Sequence, residues 1–564
     1  MSIHNKKGIA LLFTLITMTV FLILSSVFVL RAVHEKNMVE REKRSAQAFY
    51  ATEAGNEAAL KQVDILINTY MLSTINNLAP QVVINDAQSY VAGADGLGFL
   101  IKYVKNNNVA QLTLNGSEAR YSGAATNFGS GTYQYNIMIT VKSNPAANGT
   151  DKWDFPYYYS VQGTGTVNGV SKKILFSGDF TVQVQRDNFA KFALLTNHHT
   201  LPSGTVVWFT EKTNFSGPVH TNERISVAFN PSGTFDGIVT QQYANARFYN
   251  NGSPILLNAD NNAPRDVPTF NAGFTRGASV IPMATSVQKQ DLINEARAGD
   301  TTSGNGIFLA NSGNNLTGGI YVNGDSALNM SVNNNNAVYT ITQGAMTKAI
   351  TVDRTNDQTT VVTNGGSPQV YGGVPDGVDN IGTIVYVDGS ITALGGTVQD
   401  QTELTISSES DVVITNHIQY SDYTPGTGTP GTPGYVAPAA SGATNLLGIV
   451  SWDGNIRIGT AAPNDLNIHG TLMAPDGVFT ADNYNSGSPR GTVTLLGGII
   501  SDYYGAMGTF SGATGQLLTG FGRNFVYDER MLIGKSPPYF PSMQKYIAFT
   551  NDITDKIVWQ EGGF

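Results

Sequence analysis

The chain has 564 residues, of which only 13% are charged, and its 33 Lys and Arg against 42 Asp and Glu leave a formal net charge of −9. With no basic block after the first 45 residues, it has little to hold a polyphosphate backbone with, and nucleic acid is not an expected partner. A 41% hydrophobic content excludes disorder for most of the chain, and the absence of cysteine excludes disulfides, zinc–thiolate sites, iron–sulfur clusters and thiol nucleophiles. Low charge with 61 glycines and many Asn, Thr, Val and Tyr fits an exported β-rich protein better than a cytosolic enzyme. At roughly 100–200 residues per domain, the length allows about three to five structural units.

After Lys6, Lys7 and Gly8 comes a run of 22 residues, from Ile9 to Leu30, with no charge, proline or glycine. At about 1.5 Å per residue this helix spans roughly 33 Å, enough for a bilayer core of about 30 Å. A secretory signal peptide would also place basic residues before an apolar run. However, this run is long for one, and no small-x-small cleavage site follows, only Val29-Leu-Arg-Ala-Val-His34. From Arg31 to about Asn68 there is no proline, and Met38, Glu42, Ala46, Phe49, Tyr50, Glu53, Ala54 and Glu57 trace one side at helical spacing. One long helix over 9–72, transmembrane over 9–30, is predicted; a plain signal anchor with a solvated charged face is the alternative.

Lys6-Lys7-Gly8 before an uncharged helix resembles a type IV prepilin leader, and Ala48-Phe-Tyr-Ala-Thr-Glu-Ala-Gly55 resembles the N-terminal region of PilX-type minor pilins of type IV pilus assembly. The resemblance covers about residues 1–65. It implies a leader over 1–8, cut by a prepilin peptidase between Gly8 and Ile9. It further implies insertion in a bacterial inner membrane with the N-terminus cytoplasmic, contact with lipid and with other pilins or pseudopilins, and an exported head at the cell surface or a pilus tip. Phe13 and Glu53 are the positions it marks for assembly. Major pilins carry glutamate where this chain has Phe13, so a standard major subunit is not implied. The charges flanking the run, two Lys before it and five Lys or Arg shortly after it, do not by themselves favour that orientation.

Beyond the helix the period changes. In 133–142 the alternate residues Tyr133, Tyr135, Ile137, Ile139 and Val141 form one apolar face, and Tyr157, Tyr159, Val161 and Ile174, Phe176, Phe180, Val182, Val184 repeat the pattern. A pilin-like antiparallel sheet over 73–187 is expected, a free-standing small sandwich being the alternative. A second, Gly- and Asn-rich β unit follows over 188–345, broken by one short helix near 286–298. His198, His199 and His220 with Asn222 suggest a metal or catalytic site, but the spacing matches no metal motif and the surrounding Asn, Gly and Pro favour turns. Residues 346–564 contain short apolar strands with a loose recurrence near twenty residues, which predicts a parallel β-solenoid with Ile406, Ile414, Ile458 and Ile468 inside; an ordinary sandwich is the alternative. Residues 424–442, with four prolines and five glycines, read as a flexible spacer, and Tyr527, 537–541 and Trp559 as an aromatic cap over the last coil.

The expected fold is thus α+β and mainly β: a long transmembrane helix, an antiparallel sheet, then β-rich domains including a solenoid. The motifs of nucleotide binding, zinc proteases and serine hydrolases are absent. Asp376, Asp379 and Asp388 are the nearest approach to a carboxylate cluster, and Asp376-Gly377 and Asp388-Gly389 are turn dipeptides. No cofactor or metal is expected, and no enzymatic activity. The expected role is that of a structural minor pilin or pilin-like surface protein whose head meets a surface glycan or host ligand. The alternatives are a membrane-anchored β-helix carbohydrate-active enzyme and a secretion-system pseudopilin.

Overall fold

The structure is a computed structural model and describes residues 4–105, 112–148, 152–210, 213–228, 233–249, 253–258, 268–430, 432–511, 515–550 and 558–562. The start of the expected leader, residues 1–3, lies outside them. The chain forms two compact units, Met1–Gln185 with Tyr546–Phe564, and Arg186–Lys545.

The first unit opens with α1 (His4–Asp64), which passes through a π-helical segment, Ile65–Leu72, into α2 (Ser73–Asn76). Within the apolar run, Thr14 donates to the carbonyl of Ala10 at 2.5 Å, Thr19 to Leu15 at 2.7 Å and Ser26 to Ile23 at 2.7 Å. Each of these three hydroxyls is therefore satisfied inside the helix without water, as a hydrocarbon environment requires. Helices α3 (Pro80–Ala92) and α4 (Gly96–Lys105) follow, so helical structure continues past residue 73, where the sequence placed the start of the sheet unit. Phe99 and Tyr103 of α4 and Val83 and Ala87 of α3 are buried, which is why these segments fold onto the core instead of extending the sheet.

The sheet comprises β1 (Leu112–Asn115), β2 (Glu118–Ser122), β3 (Thr126–Phe128), β4 (Gly131–Val141), β5 (Ala146–Ala147), β6 (Lys152–Val167) and β7 (Val170–Asn188). Strands β2–β4–β6–β7 pair antiparallel in that order. Ile137, Ile139, Tyr157, Tyr159, Val161, Phe180, Val182 and Val184 are all buried, on the face the alternation marks.

The face of α1 against this sheet differs from the one read in the sequence. Ala48, Ala51, Thr52, Gly55, Asn56, Ala59 and Val63 are buried, whereas Met38 and Tyr50 are more than 60% exposed. The cause is close approach. A Cβ on Gly165 of β6 would lie 2.3 Å from the carbonyl oxygen of Ala48 and 2.5 Å from the amide of Thr52, and one on Gly163 would lie 2.6 Å from Asn56 Oδ1. Only small residues fit, and the amide of Gly165 donates to Thr52 Oγ1 at 3.0 Å across the contact. The C-terminus belongs to this unit too: Val558–Gly562 pairs antiparallel with β7, Trp559 opposite Phe176. Trp559 thus occupies the sheet of the first unit rather than a cap on the second, and its strand covers an edge of β7 that would otherwise be open.

The second unit is a mixed sheet. Residues 306–372 form antiparallel hairpins, Gly306–Ser312 with Asn315–Asn323, then Ser326–Asn333, Asn336–Gln343, Met346–Asp353 and Gln358–Thr363 in succession. From there the pairing becomes parallel. Val385 lies beside Ile320 on one side and Ile406 on the other, then come Ile449 and Leu472. The ladder continues with Thr471 beside Gly498, Ile499 beside Leu194, Leu194 beside Val219 and Val219 beside Val239, and it ends with Val239 beside Phe274. A second parallel ladder joins Leu394, Ile414 and Ile458, with Ile468 beside Leu495. Ile406, Ile414, Ile458 and Ile468 are fully buried. The first strand of the unit, Leu194–His198, docks on one of its last, Pro489–Tyr503, so spatial order is not chain order.

α5 (Ser286–Arg297) is the short helix expected here; the amide of Thr285 donates to Gln288 at 3.2 Å at its start, and Gly319 lets Ala296 approach the strand Asn315–Asn323. Residues 424–442 are not a loose spacer, since Thr424 bridges Ala439 and Thr427 bridges Val436, closing an arm. The aromatic segment after Tyr527 runs along the rungs instead of capping an end. Tyr527 donates to the carbonyl of Lys191 at 2.7 Å, Arg530 to those of Ala443 and Asn445 at 2.8 Å, and Phe540 fills the space above Gly448.

Candidate functional site

The first candidate is α1 itself. It is long and apolar enough to cross a membrane, and no part of its apolar window is buried in the protein. Ile9 is 58% and Phe13 69% exposed, and Gly8 has no neighbour within 4 Å of an added Cβ. Just past the run, Arg31 meets Glu35 at 3.3 Å and Arg44 meets Glu40 at 3.7 Å, exposed pairs that add little stability. Glu53 is half-buried. Forty residues of helix, about 60 Å, separate it from Phe13, so Gly8, Ile9 and Phe13 sit together at one end and Glu53 stands apart.

The histidines separate into three environments. His220 Nε2 lies 2.9 Å from Asn222 Oδ1 and its Nδ1 2.7 Å from the Thr240 hydroxyl. Asn222 Oδ1 also accepts from the amide of Ile281 at 2.8 Å, while its Nδ2 donates to the Ile281 carbonyl and to Asn197. The network therefore makes Nε2 the donor and leaves Nδ1 to accept from Thr240, which occupies both nitrogens. Burial holds this imidazole below its usual range, so it is a neutral core residue without a free lone pair for a metal. His199 is buried with neither ring nitrogen paired, edge-on to Phe209 at 4.5 Å between centroids. Burial, then the charges of Arg247 and Arg523, push it down to about 3. His198 is the accessible one. Its Nδ1 is 3.1 Å from Glu223, its Nε2 3.8 Å from Asp502, and its ring stacks on Tyr503 at 4.6 Å.

Glu223 and Asp502 belong to a longer line of carboxylates that the sequence reading missed. Ser408 lies beside Ser451, Val450 beside Met473, Ala474 beside Ser501, Ser501 beside Thr196 and Thr196 beside Thr221. One or two residues past this column stand Glu409, Asp453, Asp476, Asp502 and Glu223, on rungs about 4.8 Å apart. Lys289 of α5 pairs with Glu409 at 2.8 Å and Asp453 at 3.1 Å. Partial burial, then Asp453 and Asp502, raise Asp476 above the usual carboxylate range. The only sequence signal is the 25-residue step from His198 to Glu223, one rung, which carries no motif.

Asp376, Asp379 and Asp388 do not converge. Asp388 accepts from Tyr321 at 2.7 Å at a strand end, while Asp376 and Asp379 lie in a loop whose amides at Val378 and Asp379 donate to Glu295 at 2.7 and 3.1 Å. Gly377 has φ +80°, as a tight turn there requires. Among the described residues no group of three or more His, Asp or Glu side chains is placed to hold a metal ion.

Residues 154–242 match a family described as a domain of unknown function, DUF4900. The matched stretch runs from β6 through β7 to Val239–Gln241 and contains His198, His199, His220, Asn222 and Glu223. Neither a curated protein nor a solved structure matches the chain.

Proposed function

We propose that the chain is a membrane-inserted minor pilin or pilin-like protein of a type IV filament system, anchored by α1 and presenting a β-rich head outside the cell. One observation carries this reading: a single helix is bare of protein contact over its apolar half and seated on an antiparallel sheet through its second half. In this reading the basic leader is cytoplasmic, a prepilin peptidase cuts after Gly8, and the helix contacts first lipid and then the helices of other pilins or pseudopilins. The parallel ladders of the second unit are the coils of a solenoid, a rigid platform for a surface glycan or host ligand. The work is mechanical and adhesive and needs no cofactor. N-terminal sequencing of protein extracted from membranes tests it: a terminus at Ile9 with the helix retained supports it, and Met1 or a cut beyond the helix rejects it.

A second reading, a membrane-anchored carbohydrate-active enzyme, is favoured by the carboxylate line, because glycoside cleavage uses a pair of carboxyl groups and Asp476, raised above the usual carboxylate range, stands beside Asp453 and Asp502. It requires reducing-end release from a polysaccharide that Asp476→Asn abolishes.

A further inference from the structure

Thr213, Asn214, Tyr504, Arg523, Asn524 and Phe525 line a cleft of about 60 Å³ in the second unit, room for several water-sized groups. Thr213 and Tyr504 are themselves buried and form its floor. Arg523 is half-buried, yet it meets no carboxylate among the described residues. One of its nitrogens donates to the Tyr504 hydroxyl, and the guanidinium lies 5.6 Å from the centre of that ring and 6.0 Å from that of Phe510. Among the described residues the rest of its donor fork has no side-chain acceptor, which is an unusual economy for a partly desolvated cation. Asn524 shows the complementary deficit. Its Nδ2 is spent on the hydroxyls of Tyr435 at 2.6 Å and Thr494 at 3.2 Å, while its Oδ1 receives no donor among the described residues.

We propose that this cleft binds an acidic sugar, its carboxylate on the guanidinium of Arg523 and a ring hydroxyl donating to Asn524 Oδ1. A planar donor fork matches a carboxylate in two-point geometry, and the free acceptor beside it asks for a hydroxyl, which a bare inorganic anion lacks. The Tyr504 and Phe525 side chains give the apolar face of a sugar ring something to lie against. Behind the cleft, the His199 ring packs on Tyr504 at 5.7 Å and feels the charges of Arg247 and Arg523, while Glu223 accepts from the His199 backbone amide at 2.7 Å. The assignment names a ligand class for the head and holds whether or not the chain enters a filament, so its failure and that of the pilin reading are separable.

The test is calorimetric titration of the full chain, in a detergent without a sugar headgroup, with sodium glucuronate, methyl glucoside and sodium sulfate. The expected result is saturable glucuronate binding, at least tenfold weaker sulfate and glucoside binding, and at least tenfold loss in Arg523→Gln. No saturable glucuronate binding, glucoside or sulfate binding as tight as glucuronate, or an unchanged Arg523→Gln overturns it. If that variant does not fold, phenylglyoxal modification of Arg523 in the wild type, mapped by mass spectrometry, replaces it. Glucuronate then slows the reaction and glucoside does not; equal rates with both overturn the proposal.

Discussion

His199 shows how one residue sets an acid limit on the second unit. Its ring packs between Phe209 and Tyr504 with both nitrogens unpaired, and burial pushes it down to about 3 against an unfolded value near 6.5. Between those values the unfolded chain binds a proton that the folded one refuses. Its contribution is therefore complete above about pH 6.5 and is lost as pH falls, at roughly 1.4 kcal/mol per pH unit. His469 acts in the same direction, since burial holds it down to about 4 while its Nδ1 accepts from the amide of Tyr420 at 3.1 Å. The urea midpoint should drop between pH 7 and pH 4.5, and His199→Phe, which keeps a ring in the same space, should remove much of that drop. An identical pH dependence in the variant would show that other groups carry it. A second residue-scale test is Gly165→Ala, whose new methyl would lie 2.3 Å from the Ala48 carbonyl oxygen. It should cost about 1–3 kcal/mol by denaturant titration, whereas Gly442→Ala, with open space around it, should stay within about 0.5 kcal/mol.

At the scale of elements, burial of the parallel strands is the source of their stability. Ile458 is fully buried between Ile414 and the strand carrying Ala481, so Ile458→Ala should cost about 2–5 kcal/mol by the same measurement. These interior isoleucines were legible in the sequence, as were the apolar run from Ile9 to Leu30, the alternation from Tyr133 to Val141 and the helix near 286–298, because each has a period that large apolar side chains make visible. The sheet-facing stripe of α1 was not, because Ala48, Ala51 and Gly55 carry almost no hydrophobic signal, while the half-buried Phe49 and the exposed Tyr50 carry a strong one. Strands as short as Val219–Thr221 and Val239–Gln241 have too few residues to show any period. The carboxylate line was invisible for a related reason. Its members sit at unequal sequence intervals, and Glu223 joins the others only after Leu194–His198 docks on Pro489–Tyr503, a pairing of residues some three hundred positions apart that no local pattern encodes. The histidines were visible as a cluster, but burial alone decides that His220 and His199 are core residues and His198 is not.

For the whole molecule, Phe13 bears on where such a subunit would stand in a filament. On the proposed pilin reading, a helix glutamate of an incoming subunit pairs with the N-terminal amine of the subunit already in place. Both charges are buried among apolar helices, where an unpaired charge costs several kcal/mol. Cleavage after Gly8 would give this chain the Ile9 amine to offer the next subunit, but Phe13, 69% exposed on the bare helix, has no charge with which to neutralise the amine of a subunit above it. A subunit that can be followed but cannot follow belongs at the start of assembly, the tip, in few copies. There a large β-rich head faces outward, and its bulk does not obstruct packing along the shaft. Replacing Phe13 by Glu should restore the missing partner and let the chain enter the shaft. The measurement is immunogold labelling of sheared filaments with antibody against the head: label at fibre ends in the wild type and along the shaft in Phe13→Glu. Label along the shaft of wild-type filaments would refute the tip position, and absence of label from all filaments would mark a protein that stays in the membrane, where Phe13 only packs against lipid.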